Sequence, residues 1–322
     1  MNMVIVFDDA YESDSNLGCP PMERDLEDLL AGGVILIDKP AGPTSHQLTA
    51  WARDLLGLDR LGHGGTLDPF ATGVLPMLSG RAVRITGRTL SHDKTYVAVL
   101  RASQPFDALT LEDALDHQRG RIYNVPPRIS AVKVQVRTRR IDRCELLDVN
   151  ERLAVVEIEC EAGTYIRTMA RDLGLILGMS IDLVELRRTR SGRFGLDRCV
   201  PMSTLADAVW LWREGQDDAA LKRLIHPFEV LLSGTKSIHL RDTAVAAVSH
   251  GAPVMRPGIV KMDDTLRQGD DVTVRTMKGE VVAVASMKVD ASRVQNMERG
   301  GVATPNTVLM DANAYPRGWH QA

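Results

Sequence analysis

The sequence predicts an α+β protein of two domains preceded by an acidic arm, and three observations carry that prediction. The chain has 322 residues, which is enough to bury more than one hydrophobic core. Between residues 31 and 234, strand-like alternation is interspersed with helical apolar periodicity. From about residue 236 the chain changes to short β-rich stretches with one small helix. We therefore predict an arm over residues 1–30, a larger domain over 31–234 and a small β-barrel-like domain over 235–322.

Composition and charge narrow the class of protein. The chain is 44% hydrophobic and 25% charged, and it has no apolar run long enough to span a membrane. The N-terminus lacks the basic region of a secretory signal, and no C-x-x-C pair occurs. We expect a reduced, cytoplasmic protein without a cysteine-based metal site. The net charge of −3 does not exclude nucleic acid, because residues 1–30 alone carry −7 and the remainder is slightly basic.

The elements of the larger domain follow from local patterns. The apolar run at 33–38 predicts a buried strand. Thr44 and Gln47 fit a capping box, which predicts a helix that ends at Gly57. Alternation predicts further strands, and apolar stripes predict further helices. The strands are expected at 94–101, 152–160 and 182–190, and the helices from Thr110 to near Gly120, over 166–177, over 201–212 and over 219–224.

The C-terminal region predicts a compact β-rich module. Asp242 is expected to cap a short helix, and alternating stretches follow at 271–277 and 280–289. Lys278 and Gly279 between those stretches predict a tight hairpin turn.

The segment at 62–76, GHGGTLDPFATGVLP, is the centre of the chain's chemistry. Four glycines and two prolines in fifteen residues predict an irregular loop. Asp68 lies at its centre, immediately before Pro69, and a residue before proline is held in extended backbone. From spacing alone, an Asp-Pro pair in such a segment is more often a turn than a reactive group.

The residues themselves indicate a family. G-H-G-G-T-L-D-P-x-A-T-G-V-L-P resembles the catalytic loop of the pseudouridine synthases that include bacterial tRNA pseudouridine synthase B and dyskerin. K-P-x-G-x-T-S resembles a second motif of that family, in which Lys39 is scaffolding. The runs H-G-A-P-V-x-x-P-G-I and G-D-x-V-x-V-x-T-x-K-G-E resemble the RNA-binding PUA domain. The resemblance implies the pseudouridine synthase fold, a mixed, largely antiparallel sheet flanked by helices, followed by a PUA domain.

The resemblance also implies the roles of individual residues. Asp68 would be the catalytic carboxylate, and Arg167 would pair with it. Tyr96 would stack on the target uracil, Leu186 would line the pocket, and His63 would lie near the flipped nucleotide. Without the motif, a surface helix arginine is the favoured interpretation of Arg167, and a core tyrosine is as ordinary an interpretation of Tyr96 as a stacking one.

RNA contact is expected from two basic clusters. The segment 128–143, which contains Lys133, Arg139 and Arg140, matches the family's substrate-clasping segment and would contact phosphates. A second cluster includes Arg187 and Arg188, which lie on opposite faces of a strand, so some of its members are structural. Arg188 is our candidate RNA contact in that cluster.

The resemblance implies isomerisation of uridine to pseudouridine, at the T-loop uridine 55 of tRNA and at guide-selected uridines of rRNA. The reaction transfers no electrons overall, so we expect no cofactor and no metal. How Asp68 acts stays open among attack on the sugar carbon, attack on the ring and abstraction of a ribose proton. The expected partners are tRNA and rRNA substrate, an H/ACA guide RNA and the small accessory proteins of the H/ACA particle, with no membrane.

Three alternatives remain at this stage. The protein could be a stand-alone tRNA enzyme of the bacterial type, which the PUA-like region disfavours. It could also be a non-catalytic RNA-binding scaffold, which would not need the set of Asp68, Tyr96 and Arg167. A phosphate-binding loop of a nucleotidase is the remote third, since no Walker lysine follows the glycines.

Overall fold

The computed structural model describes residues 3–90, 92–126 and 135–316. Within these ranges the strands and helices have the following bounds. The strands are β1 Val4–Val6, β2 Gly33–Lys39, β3 Leu61–His63, β4 Thr72–Ser79, β5 Lys94–Ala102, β6 Gly120–Asn124, β7 Arg137–Asn150, β8 Leu153–Cys160, β9 Ile181–Ser191, β10 Phe194–Gly195, β11 Ile225–Pro227, β12 Ser237–Leu240, β13 Val254–Met255, β14 Ile259–Asp263, β15 Asp271–Thr276, β16 Val281–Met287 and β17 Gly301–Val308. The helices are α1 Leu26–Ala31, α2 Ser45–Leu56, α3 Thr86–Leu90, α4 Ala108–Asp116, α5 Ile166–Leu177, α6 Met202–Glu214, α7 Ala219–Leu224, α8 Asp242–Ser249 and α9 Ala291–Gln295.

The chain forms two compact units. One comprises the described residues of Val34–Leu78 and Thr86–Leu224. The other comprises those of Met1–Gly33, Ser79–Ile85 and Ile225–Ala322. The acidic N-terminal segment therefore belongs by its contacts to the same unit as the C-terminal region.

The unit built from 34–78 and 86–224 contains a mixed sheet with the strand order β2-β4-β9-β5-β8-β7-β6. Its pairs are antiparallel except for β4 and β9, which run parallel. This confirms the predicted mixed, largely antiparallel sheet. The core under it is formed by the alternate apolar residues of β5 and β8 together with the apolar faces of α4 and α5. Its central positions are fully enclosed, such as Ala98, Val156 and Leu111.

Two predicted helices of this unit can be compared directly with the structure. The capping box of Thr44 and Gln47 is present at the start of α2, and Gly57 ends that helix with φ +70°. α4 begins earlier than predicted, because the carboxylate of Asp107 accepts the backbone N–H of Thr110 and takes the capping position. Thr110 is thus inside the helix.

The glycine-rich segment is less irregular than predicted. β3 and β4 extend into both of its ends, so the loop proper covers only residues 64–71. Gly73 and Pro76 lie inside β4, opposite Lys39 and Leu36 of β2. Position 73 requires glycine for two reasons. Its φ is +104°, and a Cβ atom there would lie 2.2 Å from the carbonyl oxygen of Arg188 in β9.

The second unit contains a seven-stranded sheet with the order β1-β14-β12-β15-β16-β17-β13. β15 and β16 are joined by the predicted turn, where Gly279 has φ +91°. The prediction that Asp242 caps α8 is wrong. The N-cap is Arg241, and the Asp242 carboxylate instead accepts hydrogen bonds from Ser13 Oγ and from the backbone N–H of Asp14. Within the described ranges, no helix is long and apolar enough to cross a membrane.

Candidate active site

Asp68 lies on a loop whose backbone is anchored at several points. Ser45, the first residue of α2, uses its hydroxyl twice: it accepts the N–H of Leu67 at 2.9 Å and donates to the carbonyl of Leu67 at 3.1 Å. The N–H of Ala71 donates to the carbonyl of Asp68, which closes a tight turn around Pro69. The residue just before the carboxylate and the turn just after it are therefore both fixed.

Lys39 of β2 binds the part of the loop that follows Asp68. This side chain is fully buried, and its Nζ donates to the carbonyls of Pro40, Pro69 and Ala71 at 2.8–3.1 Å. Burial lowers the pKa of the Lys39 amine, whereas the nearby Asp68 carboxylate acts in the opposite direction. The geometry agrees with the scaffolding role expected for this lysine.

Arg188 joins the two ends of the loop. Its Nε donates to the carbonyl of Val74 at 2.8 Å, and its Nη2 donates to the carbonyl of Gly65 at 2.9 Å. The side chain is 1% exposed, so it cannot contact RNA as predicted. The reason is its position: Arg188 pairs with Gly73 of β4 on one side and with Tyr96 of β5 on the other, in the interior of the sheet. Arg188 is thus a structural member of the basic cluster.

Arg167 reaches the loop from the first turn of α5. Its Nη2 lies 2.9 Å from Oδ1 of Asp68, and both side chains are 31% exposed. At this exposure the ion pair is accessible to a ligand. The direction of the Asp68 carboxylate is fixed, because a guanidinium donates its hydrogen bonds in a rigid plane. These two residues are 99 positions apart in the chain, and the structure brings them together as the resemblance implied.

Tyr96 and Leu186 lie on neighbouring strands of the core beside the loop, together with Leu67 and Ala71. Tyr96 is 9% exposed. Burial raises the pKa of its phenol, and the positive charge of Arg188 opposes that rise. The phenol is therefore protonated at neutral pH, and the ring faces the apolar cluster that includes Leu186.

His63 lies at the end of β3, five residues before Asp68. Its ring meets that of His46 edge-on, with the centroids 4.8 Å apart. Both ring nitrogens are buried and have no hydrogen-bond partner among the described residues. Burial and the neighbouring His46 lower the pKa of His63, so this ring is neutral at pH 7.

The remaining predicted RNA contacts lie in the basic segment 128–143, of which the described part begins at residue 135. Arg139 donates to the carbonyl of Thr138, and Arg140 lies near the carboxylates of Asp142 and Asp93 at 3.1 and 3.4 Å. The Arg140 side chain is 52% exposed, which leaves it accessible to a ligand. Lys133 lies outside the described residues. Among the described residues, no group of His, Cys, Asp and Glu side chains could hold a metal ion.

Two contacts of this region were not anticipated from sequence. Arg187 forms a two-point ion pair with Asp38 at 2.7 and 3.0 Å and also donates to Thr72 Oγ1. Asn124, at the end of β6, is buried and makes two hydrogen bonds with the backbone of Tyr165. The two members of the first contact are 149 positions apart and those of the second 41, so no local pattern could reveal them.

An aspartate on an anchored loop, paired with a helix arginine beside a buried tyrosine, is the arrangement that the resemblance to the pseudouridine synthases implied. Comparison with known proteins assigns the chain to this class of enzyme. The chain matches the profiles of the TruB family pseudouridylate synthase N-terminal domain over residues 53–109 and of the tRNA pseudouridylate synthase B C-terminal domain over 167–233. The DKCLD domain matches over 4–49 and the PUA domain over 236–309.

Full-length relatives identify the family. The chain is 39% identical to the probable tRNA pseudouridine synthase B of Methanopyrus kandleri, over 96% of this chain and 91% of the relative. It is 40% identical to the probable tRNA pseudouridine synthase B of Methanothermobacter thermautotrophicus, over 94% of this chain and 93% of the relative. The protein belongs to the tRNA pseudouridine synthase B family.

Solved structures agree with this assignment. The chain is similar, with a TM-score of 0.90 and 33% identity, to a chain in the structure of an H/ACA ribonucleoprotein bound to a substrate RNA containing 2′-deoxyuridine, covering 98% of this chain and 97% of that one. It is also similar to a chain in the archaeal box H/ACA Nop10–Cbf5 complex, with a TM-score of 0.88 and 35% identity over 99% of both chains.

Proposed function

We propose that this protein isomerises uridine to pseudouridine at the T-loop uridine 55 of tRNA and, as the catalytic subunit of an H/ACA particle, at guide-selected uridines of rRNA. The observation that carries the proposal is the ion pair of Asp68 and Arg167 on an anchored loop beside Tyr96. Family membership supports the reaction, and the likeness to chains of H/ACA complexes supports the guided role.

The reaction breaks the bond between N1 of uracil and C1′ of ribose and forms a bond between C5 and C1′. The proton on C5 is lost and N1 gains a proton, so atoms and electrons balance without an oxidant or reductant. The target base must leave its stack, which costs a few kcal/mol. The apolar cluster beside the loop, which includes Leu186 and Tyr96, would receive the base.

Asp68 would act directly on the nucleotide, as a nucleophile towards the sugar or the ring or as a base towards a ribose proton. Each of these roles needs a carboxylate that remains ionised when the RNA excludes water. Arg167 would supply the fixed positive charge that stabilises the ionised form and would hold Oδ1 in one direction. Ser45, Lys39 and Arg188 would keep the loop from yielding as the base enters.

The protein's wider role is proposed from the same comparisons. We propose residues 31–234 as the catalytic domain, residues 235–322 as a PUA domain that binds RNA, and residues 1–30 as an arm. The expected partners are substrate tRNA and rRNA, a guide RNA, and accessory proteins such as the Nop10 and Gar1 found with similar chains. A cytoplasmic location is proposed from the cysteine pattern.

The test measures tritium release from RNA that carries uridine labelled at C5. The purified protein is assayed on a tRNA transcript alone, and then on rRNA fragments with accessory proteins and an H/ACA guide RNA. Release in both assays supports the full proposal. Release on tRNA alone would limit the protein to stand-alone tRNA modification, and no release in either assay would contradict the enzymatic function.

A further inference from the structure

The first turn of α5, which carries Arg167, lacks the usual means of fixing a helix start. Its N-cap, Tyr165, makes no capping hydrogen bond through its own side chain. Moreover, an arginine in the first turn meets the positive end of the helix dipole, which disfavours a cation there. Local sequence therefore does not explain why the guanidinium stays in place 2.9 Å from Asp68.

The missing restraint comes from β6. Oδ1 of Asn124 accepts the N–H of Tyr165 at 2.8 Å, and Nδ2 of Asn124 donates to the carbonyl of Tyr165 at 3.3 Å. Only one orientation of the amide pairs both atoms, and Asn124 is 1% exposed. The amide therefore supplies a partner for a part-buried backbone N–H at the start of α5.

The neighbouring residue adds a second attachment. Oγ1 of Thr168 donates to the carbonyl of Val125 at 2.7 Å, and Thr168 is also buried. Residues 124 and 125 of one segment thus hold positions 165 and 168 of the other, on either side of Arg167. Arg167 is thus bracketed by three hydrogen bonds to the segment of Asn124 and Val125, at the end of β6 and just beyond it.

We propose that Asn124 is a positioning residue of the active site, which holds the first turn of α5 so that Arg167 meets Asp68 in its productive geometry. Asn124 acts through Arg167 and does not touch the nucleotide. A misplacement of about 1 Å at a catalytic group can reduce a rate about 100-fold, so loss of this amide is expected to affect the chemical step. The proposal rests on the proposed function for its kinetic consequence, while the geometry it describes can be measured independently.

The kinetic test uses single-turnover tritium release by the full-length protein. Asn124→Leu is expected to lower the rate about 10- to 100-fold and to change the affinity for tRNA by less than about 2-fold. In an Arg167→Lys background the same substitution is expected to lower the rate by less than about 2-fold, because the guanidinium that Asn124 positions is already absent. Equal losses in both backgrounds would overturn the proposal, because they would show a general structural role.

Two further variants keep the test decisive. Thr168→Val removes the second attachment at nearly constant volume and is expected to lower the rate in the same direction, so it carries the test if Asn124→Leu does not fold. Asp107→Ala removes the side-chain cap of α4, a helix without a proposed catalytic residue, and is the matched control. It is expected to lower the thermal midpoint without lowering the rate, and a loss of rate as large as that of Asn124→Leu would count against the proposal.

A spectroscopic readout separates this proposal from the proposed function. The Nη resonances of Arg167 are expected to be resolved in the wild-type protein, because the ion pair hinders rotation of the guanidinium, and averaged in Asn124→Leu. Resolved resonances in both proteins would contradict the positioning role even if the enzyme is active. Averaging in the variant would support it even if wild-type activity on the chosen RNA were absent.

Discussion

Nη2 of Arg167 and Oδ1 of Asp68 lie 2.9 Å apart and are the point at which α5 and the anchored loop meet. Hydrogen bonds to charged groups are worth about 1.5–3 kcal/mol, and about 1.4 kcal/mol corresponds to a factor of ten in rate. Arg167→Ala is therefore expected to lower the single-turnover rate about 10- to 100-fold or more. Arg171→Ala, one turn further along α5 and paired with Asp172 at the surface, is the control and should retain the wild-type rate.

The buried guanidinium of Arg188 predicts a combined loss of stability and activity. Arg188→Met leaves the carbonyls of Gly65 and Val74 without their donor, and each buried acceptor left unpaired costs about 1–3 kcal/mol. We expect a lower urea midpoint together with a lower rate, because the loop around Asp68 loses two of the hydrogen bonds that hold its backbone. Arg198→Met, at an exposed site, should change neither. Unchanged stability of Arg188→Met would refute the assigned role.

Gly73 and Gly42 form a matched pair for testing the close approach of β4 and β9. Both have strongly positive φ values, +104° and +111°, so alanine is strained at either position. A Cβ atom at Gly73 would lie 2.2 Å from the carbonyl oxygen of Arg188, whereas one at Gly42 would meet nothing within 4 Å. Gly42→Ala is expected to cost about 1–2 kcal/mol from backbone strain alone. Gly73→Ala should cost clearly more in chemical denaturation, and equal costs would show that the contact does not matter.

His239 in the C-terminal unit predicts an acid-sensitive stability. Burial, with a further contribution from Lys261, lowers the pKa of this imidazole to about 4 from 6.5. Between pH 6.5 and 4 the unfolded chain therefore binds a proton that the folded chain does not, and stability falls as the pH falls. The slope approaches about 1.4 kcal/mol per pH unit for one group. Denaturation of the wild type and His239→Asn across this range should show a difference that diminishes at low pH, and a constant difference would contradict the prediction.

The features that the sequence predicts well are those that a few neighbouring residues determine. The capping box at Thr44 and Gln47 and the turn at Gly279 are local, because their hydrogen bonds and dihedral angles involve residues within a few positions. Strand alternation also predicts β5, in which Tyr96 and Ala98 share the buried face. The two-residue period of a strand determines which side chains share a face.

The features that the sequence does not predict depend on partners far along the chain. Arg188 carries a charge that favours a surface position in any local analysis, yet parallel pairing of β4 with β9 places it in the core. Aspartate is a favoured residue type for a helix N-cap, but the Asp242 carboxylate accepts hydrogen bonds from Ser13 and Asp14 of the N-terminal segment instead. No local sequence pattern predicts the contact of Asn124 with Tyr165, because it forms only when β6 and α5 pack together.

The most direct test of the central claim compares the wild-type protein with Asp68→Asn, which keeps the shape of the side chain and removes its negative charge. RNA with uridine labelled at C5 is incubated with enzyme in excess, tritium release is followed, and the product nucleoside is identified by chromatography. Tritium release with pseudouridine formation by the wild type is expected, and no release is expected from Asp68→Asn even though it binds the same RNA. Release by Asp68→Asn at the wild-type rate would contradict the account.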